Sequence, residues 1–108
     1  MSAMAKRLYG PAKPGTTAAT LFTAPTEGTA TIRHIRVANT TAASATITLS
    51  IGVDASGTRI YDTFSIPAHG IHDTGYAMGI VLGNSEILQG FQGTAAALVL
   101  TISGSIEN

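Results

Sequence analysis

The chain has 108 residues, of which 44% are hydrophobic and 11% are charged, and its formal net charge is zero. This length provides for a single hydrophobic core, and a charged share below the usual value of about 25% is typical either of a surface that packs against other proteins or of a hydroxyl-rich small β domain. The balanced charge gives no electrostatic footprint for nucleic acid, and the absence of cysteine excludes disulfides and thiolate metal sites.

Residues 1–17 are predicted to form an extended N-terminal arm, and residues 18–108 the folded domain. The arm has basic residues without acidic neighbours, and its prolines and glycines oppose a regular helix or strand. It is interpreted either as a loose terminus or as a segment that becomes ordered on a partner. The residues predicted to contact that partner are its cations and its two largest apolar side chains: Lys6, Arg7, Leu8, Tyr9 and Lys13.

The first half of the folded domain is predicted to contain three strands. A short strand covers residues 20–23, and a longer one rich in β-branched residues covers residues 29–39. The apolar positions of the longer strand change phase, which predicts a β-bulge near Arg33 and His34. Residues 45–51 alternate strictly between apolar and polar side chains. Because the linker before them is short and polar, we expect the second and third strands to pair as an antiparallel hairpin.

The second half continues with strands and turns. Strands are predicted at residues 59–66, 80–82, 86–91 and 96–102, separated by segments rich in Gly, Pro, Asn and Asp. On the last of these, Val99 faces away from the core side.

About seven or eight short strands without a helical period predict an all-β fold, an antiparallel β-sandwich of jelly-roll type. The predicted core consists of the in-phase apolar residues of three strands: Ile47, Leu49, Ile51, Phe64, Leu98, Leu100 and Ile102.

The residues around His69, His72 and Asp73 are the part of the chain that most resembles a metal or catalytic site. Two imidazoles and a carboxylate could contribute to a metal site, but residues three apart on a strand face opposite sides, and no third strong ligand is nearby. A polar turn is the preferred interpretation. The basic cluster of Arg33, His34 and Arg36 is expected to pair with an acidic partner on a neighbouring strand.

Catalysis is not expected. The chain has no nucleophile elbow and no phosphate-binding loop, and its carboxylates are scattered along the sequence. No cofactor is therefore predicted. The longest apolar run, residues 95–100, is too short to cross a bilayer, and without a signal-like segment we expect synthesis in a cytoplasm.

Several stretches resemble small virion structural proteins of tailed bacteriophages. They are TLFTAP at residues 20–25, EGTATIRHIRVANT at 27–40, ATITLSIG at 45–52, IPA at 66–68 and LVLTISG at 98–104. The resemblance covers roughly residues 20–104. It implies a structural role in the virion and supplies no catalytic residues.

The function expected from this resemblance is that of a capsid decoration protein, bound to the major capsid protein and stabilising the shell. The chain is expected to form a homo-oligomer, with a trimer as the first expectation, and to bind neither nucleic acid nor membrane. The first alternative is a tail, neck or baseplate component. The second is a carbohydrate-binding adhesion module, which usually displays several exposed aromatic rings, whereas this chain has no Trp, three Tyr and three Phe.

Overall fold

The computed structural model describes residues 3–75 and 78–107, which fold as an all-β structure. The strands of these residues are β1 (Ala3–Ala12), β2 (Ala19–Thr23), β3 (Thr29–Asn39), β4 (Ala45–Ile51), β5 (Arg59–Ile66), β6 (Ile71–Asp73), β7 (Ile80–Leu82), β8 (Ile87–Gln92) and β9 (Leu98–Glu107). Within this part of the chain we find no helical segment with the length and apolarity that a membrane span requires.

The strands form two antiparallel sheets that pack together. Sheet A has the order β1-β9-β3-β6, and β7 pairs with β3 beside β6 on the same edge. Sheet B has the order β2-β8-β4-β5. Buried side chains of the central strands β9 and β3 of sheet A and β8 and β4 of sheet B form one core cluster. The predicted all-β fold of packed antiparallel sheets is confirmed.

The core contains most of the residues that the alternation predicts. Ile47, Leu49, Leu98, Leu100 and Ile102 are fully buried. They join buried side chains of β3, β7 and β8 in one cluster, against which Ile51 packs while staying partly exposed.

Phe64 departs from the predicted core because 38% of its surface is exposed. Its strand, β5, is the edge of sheet B, and its register against β4 shifts between the pairs Phe64–Ile47 and Tyr61–Leu49. Thr63 occupies the shift with a positive φ of 50°. The irregular edge therefore leaves Phe64 at the rim of the sandwich.

The predicted bulge in the third strand is confirmed. The register of β3 against β9 shifts between Ile32 and His34, so that Arg33 is the additional residue. Ile32 and Ile35 are both fully buried, although three positions apart they would face opposite sides of a regular strand. The bulge restores the apolar phase that the sequence interrupts.

Gly104 lies opposite this bulge in β9, where two backbones approach closely. A Cβ atom at this position would overlap the carbonyl oxygen of Thr31 on β3. We expect Gly104→Ala to lower the free energy of unfolding by about 1–3 kcal/mol through overpacking, measured by denaturant unfolding. Gly57→Ala is the control, because a Cβ there meets no atom within 4 Å. Equal effects of the two substitutions would contradict the close approach.

The predicted hairpin between residues 29–39 and 45–51 is wrong. The two strands are β3 and β4, which lie in different sheets, so residues 40–44 cross the top of the sandwich. The buried Asn39 fixes this corner, since its Nδ2 donates to the carbonyls of Ala43 (2.8 Å) and Ile66 (3.0 Å) and its Oδ1 accepts the Thr41 N–H (2.9 Å). A side chain that bonds its own loop replaces the bonds a hairpin would make.

The segment predicted as a separate arm contains an edge strand of sheet A. Strand β1 pairs with β9 from Ala3 to Ala12, with two register irregularities. Leu8 is only 8% exposed and belongs to the core cluster. Residues 3–12 are therefore part of the sandwich and are not a free arm; residues 1 and 2 lie outside the described residues.

The connection after β1 is held by a buried glutamine. The Gln92 side chain accepts the Leu98 N–H at 2.7 Å and donates to the carbonyl of Pro14, and its backbone N–H donates to Gly15. Gln92 is fully buried. It therefore joins the β1–β2 crossover to strands β8 and β9.

Candidate partner-binding face

The outer face of sheet A is the surface on which the candidate functional residues lie. Successive side chains of a strand point to opposite faces, and in β9 the buried Leu98, Leu100 and Ile102 alternate with the partly exposed Val99, Thr101 and Ser103. The second set defines the outer face. We call this surface the docking face.

A groove along β1, β9 and β3 is lined by three basic residues. Its lining comes from Ala5, Lys6 and Arg7 of β1, Arg33 of β3 and residues 103–105 of β9, and its volume is about 650 Å³. Because β1 and β3 flank β9, their backbones are separated by two strand spacings, about 10 Å. Basic residues thus line the groove on both sides of β9; Arg7 is in register with the outward-facing Ser103, whereas Lys6 is in register with Gly104 of the inward-facing set.

The cations of the groove have no ion-pair partner among residues 3–75 and 78–107. Arg7 makes one long hydrogen bond, from Nη1 to the Gly10 carbonyl at 3.5 Å, and no described carboxylate pairs with Lys6, Arg7 or Arg33. We call this set the basic groove. Its charge is therefore available to an external anionic group.

The aspartates are already occupied by other cations. Asp54 and Asp62 both pair with Arg59, at 3.0 and 2.7 Å. The hydrogen bonds from Arg59 lower the pKa of both carboxyls, and Ser50 contributes to the shift of Asp54 as Thr63 does to that of Asp62.

The third aspartate, Asp73, pairs with two members of the basic cluster for which the sequence predicts a cross-strand acidic partner. Asp73 on β6 accepts from His34 Nε2 at 2.7 Å and from Arg36 Nη1 at 3.0 Å. The predicted pairing with a neighbouring strand is therefore confirmed for His34 and Arg36. Arg33 instead turns to the basic groove.

The hydrogen bonds of Asp73 predict an acid-sensitive contribution to stability. The backbone N–H of Gly75 first, and then His34, lower the pKa of this carboxyl. A lowered folded-state pKa stabilises the fold above the unfolded pKa of about 3.9, and this contribution is lost as the pH falls through the folded value. We expect Asp73→Asn to lower the Tm at neutral pH, with the difference from wild type closing below about pH 4. A difference that stays constant down to acid pH would contradict this assignment.

The other end of the docking face is apolar. Ile71 of β6, Ala38 of β3 and Val99 of β9 occupy neighbouring positions in the register. Ile71 is 54% exposed, and the other two are partly exposed. We call these three residues the apolar row. The outward position of Val99 agrees with the sequence prediction.

The predicted partner-binding residues are divided by the fold. Lys6 and Arg7 line the basic groove, whereas Lys13 is exposed beyond the end of β1. Tyr9 packs against the core, where burial raises the pKa of its hydroxyl. Leu8 lies inside the core, which corrects the expectation that it anchors a partner.

The side chains of His69, His72 and Asp73 separate in the structure. His69 is exposed in the turn before β6, Asp73 faces His34 and Arg36, and the His72 Nε2 lies 3.0 Å from the Tyr61 hydroxyl. Among the described residues no group of three His, Cys, Asp or Glu side chains could hold a metal ion.

Sequence reasoning missed an aromatic cluster at the rim between β5 and β6. The rings of Tyr61 and Phe64 stack at 5.4 Å, and His72 meets Phe64 edge-on at 4.7 Å. Burial raises the pKa of the Tyr61 hydroxyl. Tyr61 and Phe64 are three positions apart and share a side only because of the irregularity at Thr63. The apolar–polar alternation of the sequence does not predict this irregularity.

Comparison with protein-family models, with curated proteins and with solved structures finds no match for this chain.

Proposed function

We propose that the chain is a non-enzymatic structural protein of a bacteriophage virion, a capsid decoration protein that binds the major capsid protein. It would be made in the host cytoplasm and act in the particle. Its work would be mechanical, since many equivalent weak contacts across a shell add up through high local concentration.

We further propose that the sandwich is a jelly roll. The strand orders β1-β9-β3-β6 and β2-β8-β4-β5 support this assignment, because all neighbours except β4 and β5 are distant in sequence and the chain repeatedly crosses between sheets, as in two interleaved Greek keys. Strand β7 would then extend the β6 position on the edge of sheet A.

The observation that carries the functional proposal is the composition of the docking face. The apolar row lies on the same sheet surface as Arg7, which is in register with the outward-facing Ser103 and has no ion-pair partner among the described residues. Protein interfaces typically combine an apolar centre with a polar rim. In contrast, the three aspartates serve ion pairs with Arg59, His34 and Arg36, which favours binding over acid–base chemistry.

The apolar row is the proposed contact with the shell, which Ile71→Glu should test. A carboxylate there would be buried against the capsid protein, and burial of an unpaired charge is strongly unfavourable. We expect the variant to lose binding to isolated empty shells of the encoding phage, measured by co-sedimentation. Val53→Glu is the matched control, since Val53 is 71% exposed in the β4–β5 loop. Equal binding by both variants would contradict the proposed contact.

The tail, neck or baseplate alternative differs in copy number. A decoration protein repeats over the whole shell, whereas a tail component is present in a few or some dozens of copies. The adhesion alternative would place a sugar on aromatic rings, and of the rim cluster only Phe64 is substantially exposed.

A further inference from the structure

Three carboxylates lie together at one end of the sandwich. Glu27 is in the loop between β2 and β3, Glu86 precedes β8, and Glu107 is the last residue of β9. Glu107 pairs in register with Thr29 at the start of β3, which brings it to the same end. We call Glu27, Glu86 and Glu107 the acidic tip.

The loops that carry the acidic tip are bonded to each other. The N–H of Ser85 donates to the Pro25 carbonyl at 3.0 Å, and Asn84 Nδ2 donates to the Gly28 carbonyl at 2.7 Å. The N–H of Ala24 donates to the Glu86 carbonyl at 2.9 Å. The tip therefore presents its charges on connected backbone.

The cations of the groove and the glutamates of the tip form two adjoining surfaces of opposite charge. All three aspartates are in ion pairs, while none of the three glutamates pairs with a cation of the described residues. The basic groove contains as many cations as the tip has carboxylates, and the formal net charge is zero. Within one protomer no ion pair joins the two sets among the described residues, although Glu107 follows Ser105 of the groove on β9 by only two residues, about 7 Å along the strand.

We propose that the basic groove binds the acidic tip of a second copy of this chain. The contact joins two different patches; it closes into a two-fold dimer where each copy's groove takes the other copy's tip, and otherwise generates a ring or an open chain of copies. A nucleic acid is a poorer occupant, since no aromatic ring lines the groove to stack on bases. The apolar row stays outside this contact.

Paired charge reversals test the contact in solution. In the groove, Arg7→Glu and Arg33→Glu are combined; at the tip, Glu27→Lys and Glu107→Lys are combined. All four side chains are exposed, and thermal unfolding verifies that each variant is folded. Lys13→Glu is the control, because Lys13 is an exposed cation outside the groove.

Sedimentation velocity at low salt should show self-association of the wild type and of the control. Association should weaken at about 1 M salt, where the Debye length is about 3 Å. Each double variant alone should be monomeric. An equal mixture of the two should associate, because the intact tip of one meets the intact groove of the other and the two reversed surfaces are complementary as well.

A wild type that stays monomeric at low salt would overturn the inference, as would association that survives both double variants or a mixture that remains monomeric. The inference goes beyond the proposed function, since it requires no shell. A chain that is monomeric in solution but abundant in particles refutes only the contact between copies, and one that self-associates but is absent from particles refutes only the virion role.

Discussion

Deletion of residues 1–12 is expected to remove most of the stability of the fold. The deletion takes away β1, so that one side of β9 loses its backbone hydrogen bonds and becomes the edge of sheet A. It also removes Leu8 from the core, and the loss of a buried leucine side chain alone costs about 2–5 kcal/mol. A small domain has only about 5–15 kcal/mol to lose. We expect a truncated chain whose thermal transition is strongly lowered or no longer cooperative.

A full-length variant separates the strand from its charges. Lys6→Gln combined with Arg7→Gln keeps β1 and Leu8 while removing two cations, and both side chains are exposed. Its Tm should stay close to that of the wild type, because surface substitutions usually change stability by no more than about 0.5 kcal/mol. A truncated chain with the wild-type Tm would show that residues 1–12 are dispensable and that β1 adds nothing to the sandwich.

Leu49→Ala is expected to lower the free energy of unfolding by about 2–5 kcal/mol. Leu49 is fully buried in the central strand β4, which pairs with both β5 and β8, so the cavity has little room to collapse. Urea unfolding measures the loss. Val53→Ala is the control, because Val53 is exposed and belongs to a loop. A loss below about 1 kcal/mol for Leu49→Ala would place this residue outside the core.

The strands that the sequence predicts best are those whose apolar and polar residues follow an interpretable pattern. Residues 45–51 alternate without interruption and coincide with β4, and the broken phase of residues 29–39 correctly indicates the bulge at Arg33. In β3 the local pattern and the burial agree, whereas in β4 the polar Thr48 and Ser50 are buried as well and Ile51 is partly exposed. The turn-forming segments also predict the bounds of β5 and β7.

The first strand is the largest miss, and its cause is local. Gly10 and Pro11 are residue types that usually interrupt a strand, yet both lie within β1. They are tolerated there because β1 is an edge strand with a shifted register. The signal for a strand is the single buried Leu8, which alone is too weak to outweigh them. Burial of Leu8 depends on β9, which is distant in sequence. The residues around Leu8 therefore contain no pattern that would predict this pairing.

The partition of strands between two sheets is equally non-local. A short polar linker after Asn39 favours a hairpin, but the buried side chain of Asn39 bonds its own loop and directs the chain to the opposite sheet. The candidate site depends on the same kind of information. Lys6 and Arg7 are found by charge, whereas Arg33 joins them only because β9 lies between β1 and β3.

Quantitative mass spectrometry of purified particles of the encoding phage tests the central claim most directly. If the chain is a capsid decoration protein, each particle should contain on the order of hundreds of copies, in a fixed ratio to the major capsid protein. A few or some dozens of copies would instead assign it to the tail, neck or baseplate. Its absence from purified particles would contradict the proposed virion role altogether.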